Sequence, residues 1–199
     1  MFARCRHGLE FRALSTLPFL CLDLRYAGPD NICGRDLYRG EREAWLHQEA
    51  FDALWRCGQA LGRSLPGWKL RVFDATRPVS VQRQLFARVA GTPQQAYVAD
   101  PERGSVHNYG FALDLGLQDG DGRLVDHGTG FDSFDPLAQP QLEKAFLAQG
   151  RLTPQQVEHR RQLGEVMAEG GFRQHAMEWW HFDLKPLDHL RDRYPRLDT

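Results

Sequence analysis

Two short blocks of this sequence, far apart along the chain, hold side chains that together can bind a metal ion. The first block runs from Ser105 to Asp114 and contains His107, and the second runs from Glu178 to His181. Two imidazoles and a carboxylate suit Zn²⁺ and leave one position for water, and Glu178 is placed to act as a general base toward that water. The sequence therefore predicts a fold that brings both blocks together, with the metal on His107, Asp114 and His181.

The spacing within the first block requires a bend in the backbone. His107 and Asp114 are an odd number of positions apart, so an unbroken strand would point them to opposite faces. Gly110 is the expected position of the bend. The run from Phe111 to Leu117 reads as a buried strand with a single charge, and an unpaired carboxylate there is costly, so Asp114 is expected to have a cation as partner. A buried arginine is the alternative partner.

The second block has a similar spacing problem. Glu178 and His181 are three positions apart, so a regular strand would point their side chains to opposite faces. A turn at Glu178 is therefore expected before a strand from His181 to Leu184. The H-E-x-x-H pattern of helix-borne zinc sites is absent. Taken alone, His181 is better explained as an interior histidine bonded to a backbone carbonyl, and it is the first block that favours a ligand.

Arg77 is predicted to lie at a corner between a strand and a helix. It follows the apolar run Leu70–Phe73 and precedes Pro78, which suits the first turn of a helix. Such a corner can direct a guanidinium into a cleft. A structural ion pair with Asp74 is the alternative, and both can hold, because a partner that fixes the guanidinium also orients it.

Five blocks of the chain, in the same order, resemble the VanX-type D-alanyl-D-alanine dipeptidases, zinc enzymes related to the D,D-carboxypeptidases that trim peptidoglycan stems. Besides the two metal blocks, the similar segments are Asp23–Asn31, Phe73–Pro78 and His127–Asp132, the last with His127 where methionine is usual. The family-like core covers about residues 20–186 of a single expected domain, 1–199.

The resemblance implies one Zn²⁺ per chain on the three predicted ligands, with Glu178 as the base and Arg77 polarising the scissile carbonyl. It places three further residues at the substrate, namely Tyr26, Ser105 and Asp74. The implied activity is zinc-dependent hydrolysis of the dipeptide D-Ala-D-Ala, in the metabolism of peptidoglycan precursors or cell-wall fragments.

Two other functions remain open from the sequence. A D,D-carboxypeptidase or another peptidoglycan peptidase on the same scaffold would need an open cleft that admits a longer stem, and the departures from the family at Gly28-Pro29 and Ala75-Thr76 bear on this selectivity. A zinc-binding module without catalysis would need neither Glu178 nor Arg77, so the presence of both favours an enzyme.

Composition agrees with a globular enzyme. The chain is 42% hydrophobic and 26% charged, and its formal net charge of −1 offers no general attraction for nucleic acid or an anionic membrane. No apolar run approaches the ~20 residues that span a bilayer. The N-terminal segment lacks the features of a signal peptide, which predicts a cytoplasmic protein, or a periplasmic one if a signal has been removed. A small dipeptide is the expected partner, and no oligomeric state is predicted.

The predicted fold is α+β, with a small, mainly antiparallel sheet flanked by helices and the zinc site in a central cleft. Helices are expected over 41–63 and 78–89 and from Thr153 to Gly170, and the aromatic residues of the first helix are expected in the core. Strands are expected near 21–26, 69–74, 111–117, 172–176 and 180–184.

Several residues with possible chemistry are assigned other roles. His127, His175 and Asp126 are alternative metal ligands but are better explained as loop or supporting residues, with His127 close to the pocket. The acidic run from Asp119 to Gly122 lacks the closing glutamate of a calcium loop and reads as a tight turn. The cysteines form no C-x-x-C pair and read as reduced thiols, with a bridge between Cys21 and Cys33 only if the protein is exported.

Overall fold

Strands from distant parts of the chain form two sheets in the computed structural model, which describes residues 11–184 and 190–198. The strands are β1 (Phe11–Ala13), β2 (Leu20–Leu22), β3 (Trp45–His47), β4 (Lys69–Asp74), β5 (Ala112–Gln118), β6 (Phe172–His175) and β7 (Glu178–Leu184). β1 and β3 form an antiparallel pair, and the others form a five-stranded sheet in the order β2-β4-β5-β7-β6. The mainly antiparallel sheet is confirmed, with β2 and β4 as a parallel pair at one edge.

Helices cover this sheet, so the predicted α+β class is confirmed. The helices are α1 (Gln48–Ser64), α2 (Val79–Val89), α3 (Glu143–Ala148), α4 (Pro154–Glu169) and α5 (Leu190–Arg193). Short 3₁₀ turns occur at Leu14–Thr16, Arg25–Ala27, Pro93–Tyr97, Val106–Tyr109, Pro136–Ala138 and Pro140–Leu142. α1 packs against α4, and α4 contacts β6. None of the helices within residues 11–184 and 190–198 is both long and apolar enough to cross a bilayer.

The centre of the core is β5, which is buried along its whole length between β4 and β7. Leu113, Leu115 and Leu117 of this strand have no exposed surface, and they pack in one cluster with Leu70 and Val72 of β4. A strand enclosed on both sides and both faces is expected to be apolar throughout. Asp114 is the charged residue of β5, and it is only 3% exposed.

The first helix was predicted to begin too early. Residues 45–47 pair with β1 as strand β3, and α1 begins at Gln48, with the His47 side chain accepting a hydrogen bond from the backbone N–H of Glu49. Trp45 thus lies on a strand rather than on the helix. Trp55 is 47% exposed, so the prediction that all the aromatic residues of this helix lie in the core was wrong. Non-local pairing with β1 overrides the helical periodicity here.

The local signals at the other two predicted helices are confirmed, whereas α3 and α5 were not predicted. Thr153 and Gln156 form a reciprocal capping box at the start of α4, and the helix ends at Glu169, before Gly170. α2 begins one residue after Pro78. The strand expected over 21–26 is shorter, because a 3₁₀ turn begins at Arg25. The tight turn after Asp119 is confirmed by the hydrogen bond from Gly122 N–H to its carbonyl.

The thiols of Cys21, Cys33 and Cys57 are free, and Cys57 is buried in α1 as predicted. The N-terminal segment that bears on a signal peptide, with Cys5, lies outside the described residues.

Candidate active site

The backbone bend predicted between the first two candidate ligands is confirmed. His107 lies in the 3₁₀ turn Val106–Tyr109, which ends at Gly110 in the left-handed conformation with φ of 76°. A Cβ at Gly110 would lie 2.6 Å from the ring of Phe11 and 2.8 Å from the backbone nitrogen of His47. Glycine is therefore required both by the backbone angle and by this close approach. After the bend the chain enters β5, which carries Asp114.

The three predicted ligands lie in one buried cluster. Asp114 and His181 are register partners on β5 and β7, and His107 reaches them from its turn. His181 Nδ1 lies 2.9 Å from Asp114 Oδ1, and His107 Nε2 lies 3.2 Å from His181 Nδ1 and 3.4 Å from Asp114 Oδ2. Ligand atoms about 2.0–2.2 Å from a tetrahedral Zn²⁺ lie about 3.3–3.6 Å from one another. The three separations here are 2.9–3.4 Å, so the donor set suits the ion once its atoms move apart by a few tenths of an ångström. In the part of the chain that the structure describes, it is the one such cluster of histidine and acidic residues.

Each imidazole in the cluster has its outer nitrogen held by an acceptor. His107 Nδ1 lies 2.6 Å from the carbonyl oxygen of Ala75, and because a carbonyl can only accept, Nδ1 is the donor and Nε2 faces the cluster. His181 Nε2 lies 2.9 Å from Asp183 Oδ1 on the other side of the ring. Outer partners of this kind fix the tautomer and the orientation of histidines that bind metals.

The electrostatics of the cluster favour a cation. Burial opposes ionisation of Asp114, but His107 and His181 outweigh it and hold the pKa of this carboxyl well below its usual range. Burial also opposes a charge on His181, yet its contacts with Asp114 and Asp183 hold the pKa of the imidazole well above its usual value. A site that stabilises a buried proton between carboxylates in this way can exchange it for a metal ion.

Glu178 lies beside this cluster as predicted, but it reaches the site by a different route. The turn expected at Glu178 lies before it, at residues 176–177, and Glu178 is already the first residue of β7. The pairing of β6 with β7 shifts register between Gln174 and His175, and Glu178 Oε2 lies 3.9 Å from His181 Nδ1. Burial raises the pKa of Glu178 to about 7, which is suitable for a general base near neutral pH.

Arg77 is fixed at the predicted corner between β4 and α2. Its Nε and Nη2 each lie 2.7 Å from Asp74 Oδ2, and its Nη1 donates to Gln82 Oε1 at 2.9 Å. The guanidinium lies over the ring of Tyr26, 4.9 Å from the centroid, and Nη2 is 3.4 Å from Asp114 Oδ2. Both interpretations of Arg77 therefore hold together, since it is paired with Asp74 and also lines the cleft. Arg77 is therefore the buried arginine that the sequence allowed as an alternative partner for Asp114.

Asp74 differs from the expectation that it contacts the substrate. Its side chain has no exposed surface, and its other oxygen accepts a short hydrogen bond from the hydroxyl of Tyr38. The end of β4 turns this carboxylate inward, beneath Arg77, and it is not among the residues that line the cleft. Its role is to hold Arg77.

A cleft of about 280 Å³ opens over the cluster and brings together residues from all five similar blocks. Tyr26 and Ser105 both line it, together with Arg77 and Glu178. Asp132 lines it too, and its carboxylate accepts a hydrogen bond from the Tyr26 hydroxyl at 2.9 Å. Burial raises the pKa of Asp132 to about 8. No role for Asp132 was predicted, although it ends the similar segment His127–Asp132, and a carboxylate at the end of a motif was the available signal.

The alternative ligands take no part in the cluster. His127 stacks on Trp179 with ring centroids 4.1 Å apart, away from the cleft, and burial lowers its pKa to about 3. Its expected place near the pocket was therefore wrong, because the ring fills space in the core. Asp126 bonds to the side chain of Gln156 at the start of α4. His175 does line the cleft, with its ring centroid 5.5 Å from that of His181.

Comparison with known proteins agrees with this geometry. A family model described as D-ala-D-ala dipeptidase, of peptidase family M15, matches residues 14–198. A D-alanyl-D-alanine dipeptidase of Escherichia coli K12 is 35% identical over 167 residues, which cover 84% of this chain and 80% of that protein. A protein of the same name from Enterococcus faecium is 27% identical over 182 residues, 82% of this chain and 85% of the relative.

Proposed function

Since this chain belongs to the D-alanyl-D-alanine dipeptidase family of peptidases, we propose that its hydrolysis of D-Ala-D-Ala takes place in the cleft above His107, Asp114 and His181, with one Zn²⁺ held by these three side chains. The observation that carries the proposal is the meeting of this ligand set with a carboxylate base and a fixed arginine in one small cleft. A binding module would need only the ligands, whereas hydrolysis needs all three parts.

The charged ends of a dipeptide require polar partners within the cleft. Asp132, oriented by the Tyr26 hydroxyl, lies on the wall, and a bound ammonium group would offset the burial that raises its pKa and so favour the carboxylate form that pairs with it. Ser105 offers a hydroxyl for the substrate carboxylate. Buried charges without such partners would be costly, so these contacts select a substrate that has both ends free.

The protein groups then carry out the proton transfers of hydrolysis. When bound, Zn²⁺ supplies Lewis acidity that polarises the scissile carbonyl and lowers the pKa of water toward about 7. Glu178 accepts a proton from the attacking water as the water oxygen bonds to the carbonyl carbon. Glu178 returns the proton to the leaving nitrogen as the C–N bond breaks, which releases two molecules of D-alanine. Arg77, held by Asp74 and Gln82, stabilises the negative charge that develops on the carbonyl oxygen.

The cleft volume favours a dipeptidase over a carboxypeptidase. Its volume of about 280 Å³ is slightly below the range of roughly 300–1,000 Å³ that is usual for ligand sites. Residues 96–99 form one wall of it, and Gln82 anchors that wall by donating to the Ala99 carbonyl at 2.7 Å. This wall and the small volume leave little room for a peptidoglycan stem, which favours a free dipeptide from peptidoglycan precursors or cell-wall fragments as the substrate.

The experiment that tests the proposal offers the purified protein D-Ala-D-Ala, L-Ala-L-Ala and a stem pentapeptide, with and without a chelator. We expect cleavage of D-Ala-D-Ala alone, lost with the chelator and restored by Zn²⁺. Cleavage of the pentapeptide at a comparable rate would favour the carboxypeptidase, and chelator-resistant cleavage would reject the metal site.

A further inference from the structure

His181 lies between two carboxylates that contact opposite sides of its ring. Nδ1 is 2.9 Å from Asp114 Oδ1, and Nε2 is 2.9 Å from Asp183 Oδ1. Asp183 follows two residues later on β7, and alternate residues of a strand share a face, so the two side chains are adjacent. Both side chains are 13% exposed, which makes their contact one between largely desolvated groups.

An imidazole can present a lone pair to a metal through only one nitrogen while the other donates a proton. A carboxylate can only accept, so Asp183 requires the proton on Nε2 and leaves Nδ1 as the nitrogen that faces Asp114 and His107. We propose that Asp183 is the positioning residue that selects Nδ1 of His181 as the metal ligand and strengthens it. This inference rests on the proposed function, because it takes the ligand set from there.

The charges around the site support this role. His107 is held by a neutral backbone carbonyl, whereas His181 is held by a carboxylate. Asp114 supplies one negative charge directly, and Asp183 supplies a second through the imidazole. Because Asp74 pairs with Arg77, whose guanidinium lies 3.4 Å from Asp114, the charges of Asp114 and Asp183 are left to balance a divalent cation.

The position of Asp183 argues against a direct role as the base. Its carboxylate contacts Nε2, on the side of the ring away from the ligand atoms, whereas Glu178 lies beside Nδ1. Asp183 therefore acts through His181.

The test measures zinc affinity by titrating the zinc-loaded full chain with a chromophoric chelator, without substrate. Asp183→Leu is expected to weaken Zn²⁺ binding about 10–100-fold, the usual effect of losing an outer partner of a ligand. Asp183→Asn keeps an acceptor oxygen without the charge, so a smaller loss is expected. Asp121→Asn, at an exposed turn, is the matched control and is expected to leave the affinity unchanged.

His181→Ala, measured alongside, separates the two proposals. If His181→Ala loses zinc while Asp183→Leu binds it as tightly as the wild type, the role of Asp183 is overturned and the ligand set stands. If His181→Ala keeps full affinity, the ligand set itself is wrong, and this inference falls with it. Should Asp183→Leu fail to fold, which circular dichroism reveals, Asp183→Asn decides: wild-type affinity overturns the role.

Discussion

One oxygen of Asp74 accepts a hydrogen bond from Nε of Arg77 at 2.7 Å and lies at the same ion-pair distance from Nη2. The carboxylate has no exposed surface, and Tyr38 occupies its other oxygen. The guanidinium is thus oriented before any substrate arrives, so little reorganisation is needed when charge develops on the carbonyl oxygen.

Replacing this arginine tests its proposed role. Arg77→Lys keeps the charge but loses the planar fork that Asp74 and Gln82 hold, so kcat for D-Ala-D-Ala is expected to fall on the order of 10²-fold while zinc content is unchanged. Arg71→Lys, in β4 before the corner and bonded to Gln118 and the Gly122 carbonyl, is the control and is expected to keep normal turnover. Wild-type kcat in Arg77→Lys would remove Arg77 from the mechanism.

Metal analysis tests the ligand set. The wild-type protein is expected to contain one Zn²⁺ per chain, and His107→Ala, Asp114→Ala and His181→Ala are expected to lose it or bind it far more weakly, because each removes one of three protein ligands. His175→Ala changes another histidine of the same cleft and is expected to keep the metal. Loss from His175→Ala with retention in His181→Ala would contradict the assignment.

Gly110 provides a test of the fold around the site. Gly110→Ala places a Cβ at positive φ and against backbone, so the free energy of unfolding is expected to fall by about 2–4 kcal/mol in urea denaturation. Gly122 has a similar φ of 83°, but its nearest atom is 3.9 Å away, so Gly122→Ala is expected to cost only about 1–2 kcal/mol. Equal losses in the two variants would show that the close approach to His47 is unimportant.

Substrate length tests the contacts proposed at Tyr26, Ser105 and Asp132. N-acetyl-D-Ala-D-Ala and stem pentapeptides are expected to show kcat/KM at least ~10²-fold below that of D-Ala-D-Ala, because they leave the buried partner of the ammonium group unpaired. Asp132→Asn is expected to narrow this ratio, because it lowers kcat/KM for the free dipeptide more than for the capped one. A dipeptide and a pentapeptide cleaved equally well would instead favour a carboxypeptidase.

The bend after His107 and the partnered carboxylate of Asp114 could be predicted from the sequence because their signals are local. The odd spacing from His107 to Asp114 requires a bend, Gly110 permits one, and a lone carboxylate in an apolar strand needs a partner. These arguments do not depend on the rest of the fold. The capping box at Thr153 was predicted correctly for the same reason.

Features that depend on pairing between distant segments could not be predicted in this way. Trp45 follows the helical periodicity of α1, but β1 draws it into a strand, and Trp55 is left half-exposed. Asp74 was expected at the substrate, but the direction of its side chain is set by Tyr38 and Arg77 within the folded core. The contact of Asp132 with Tyr26 joins residues 106 positions apart.

Glu178→Gln tests the central claim most directly, because it keeps the size of the side chain and removes its ability to accept a proton. Zinc content and kcat for D-Ala-D-Ala are measured on the same preparation. We expect a full complement of zinc and a kcat lower by on the order of 10²–10⁴-fold, the usual effect of removing a general base. A variant that keeps its zinc and turns over D-Ala-D-Ala at close to the wild-type rate would show that Glu178 is not the base.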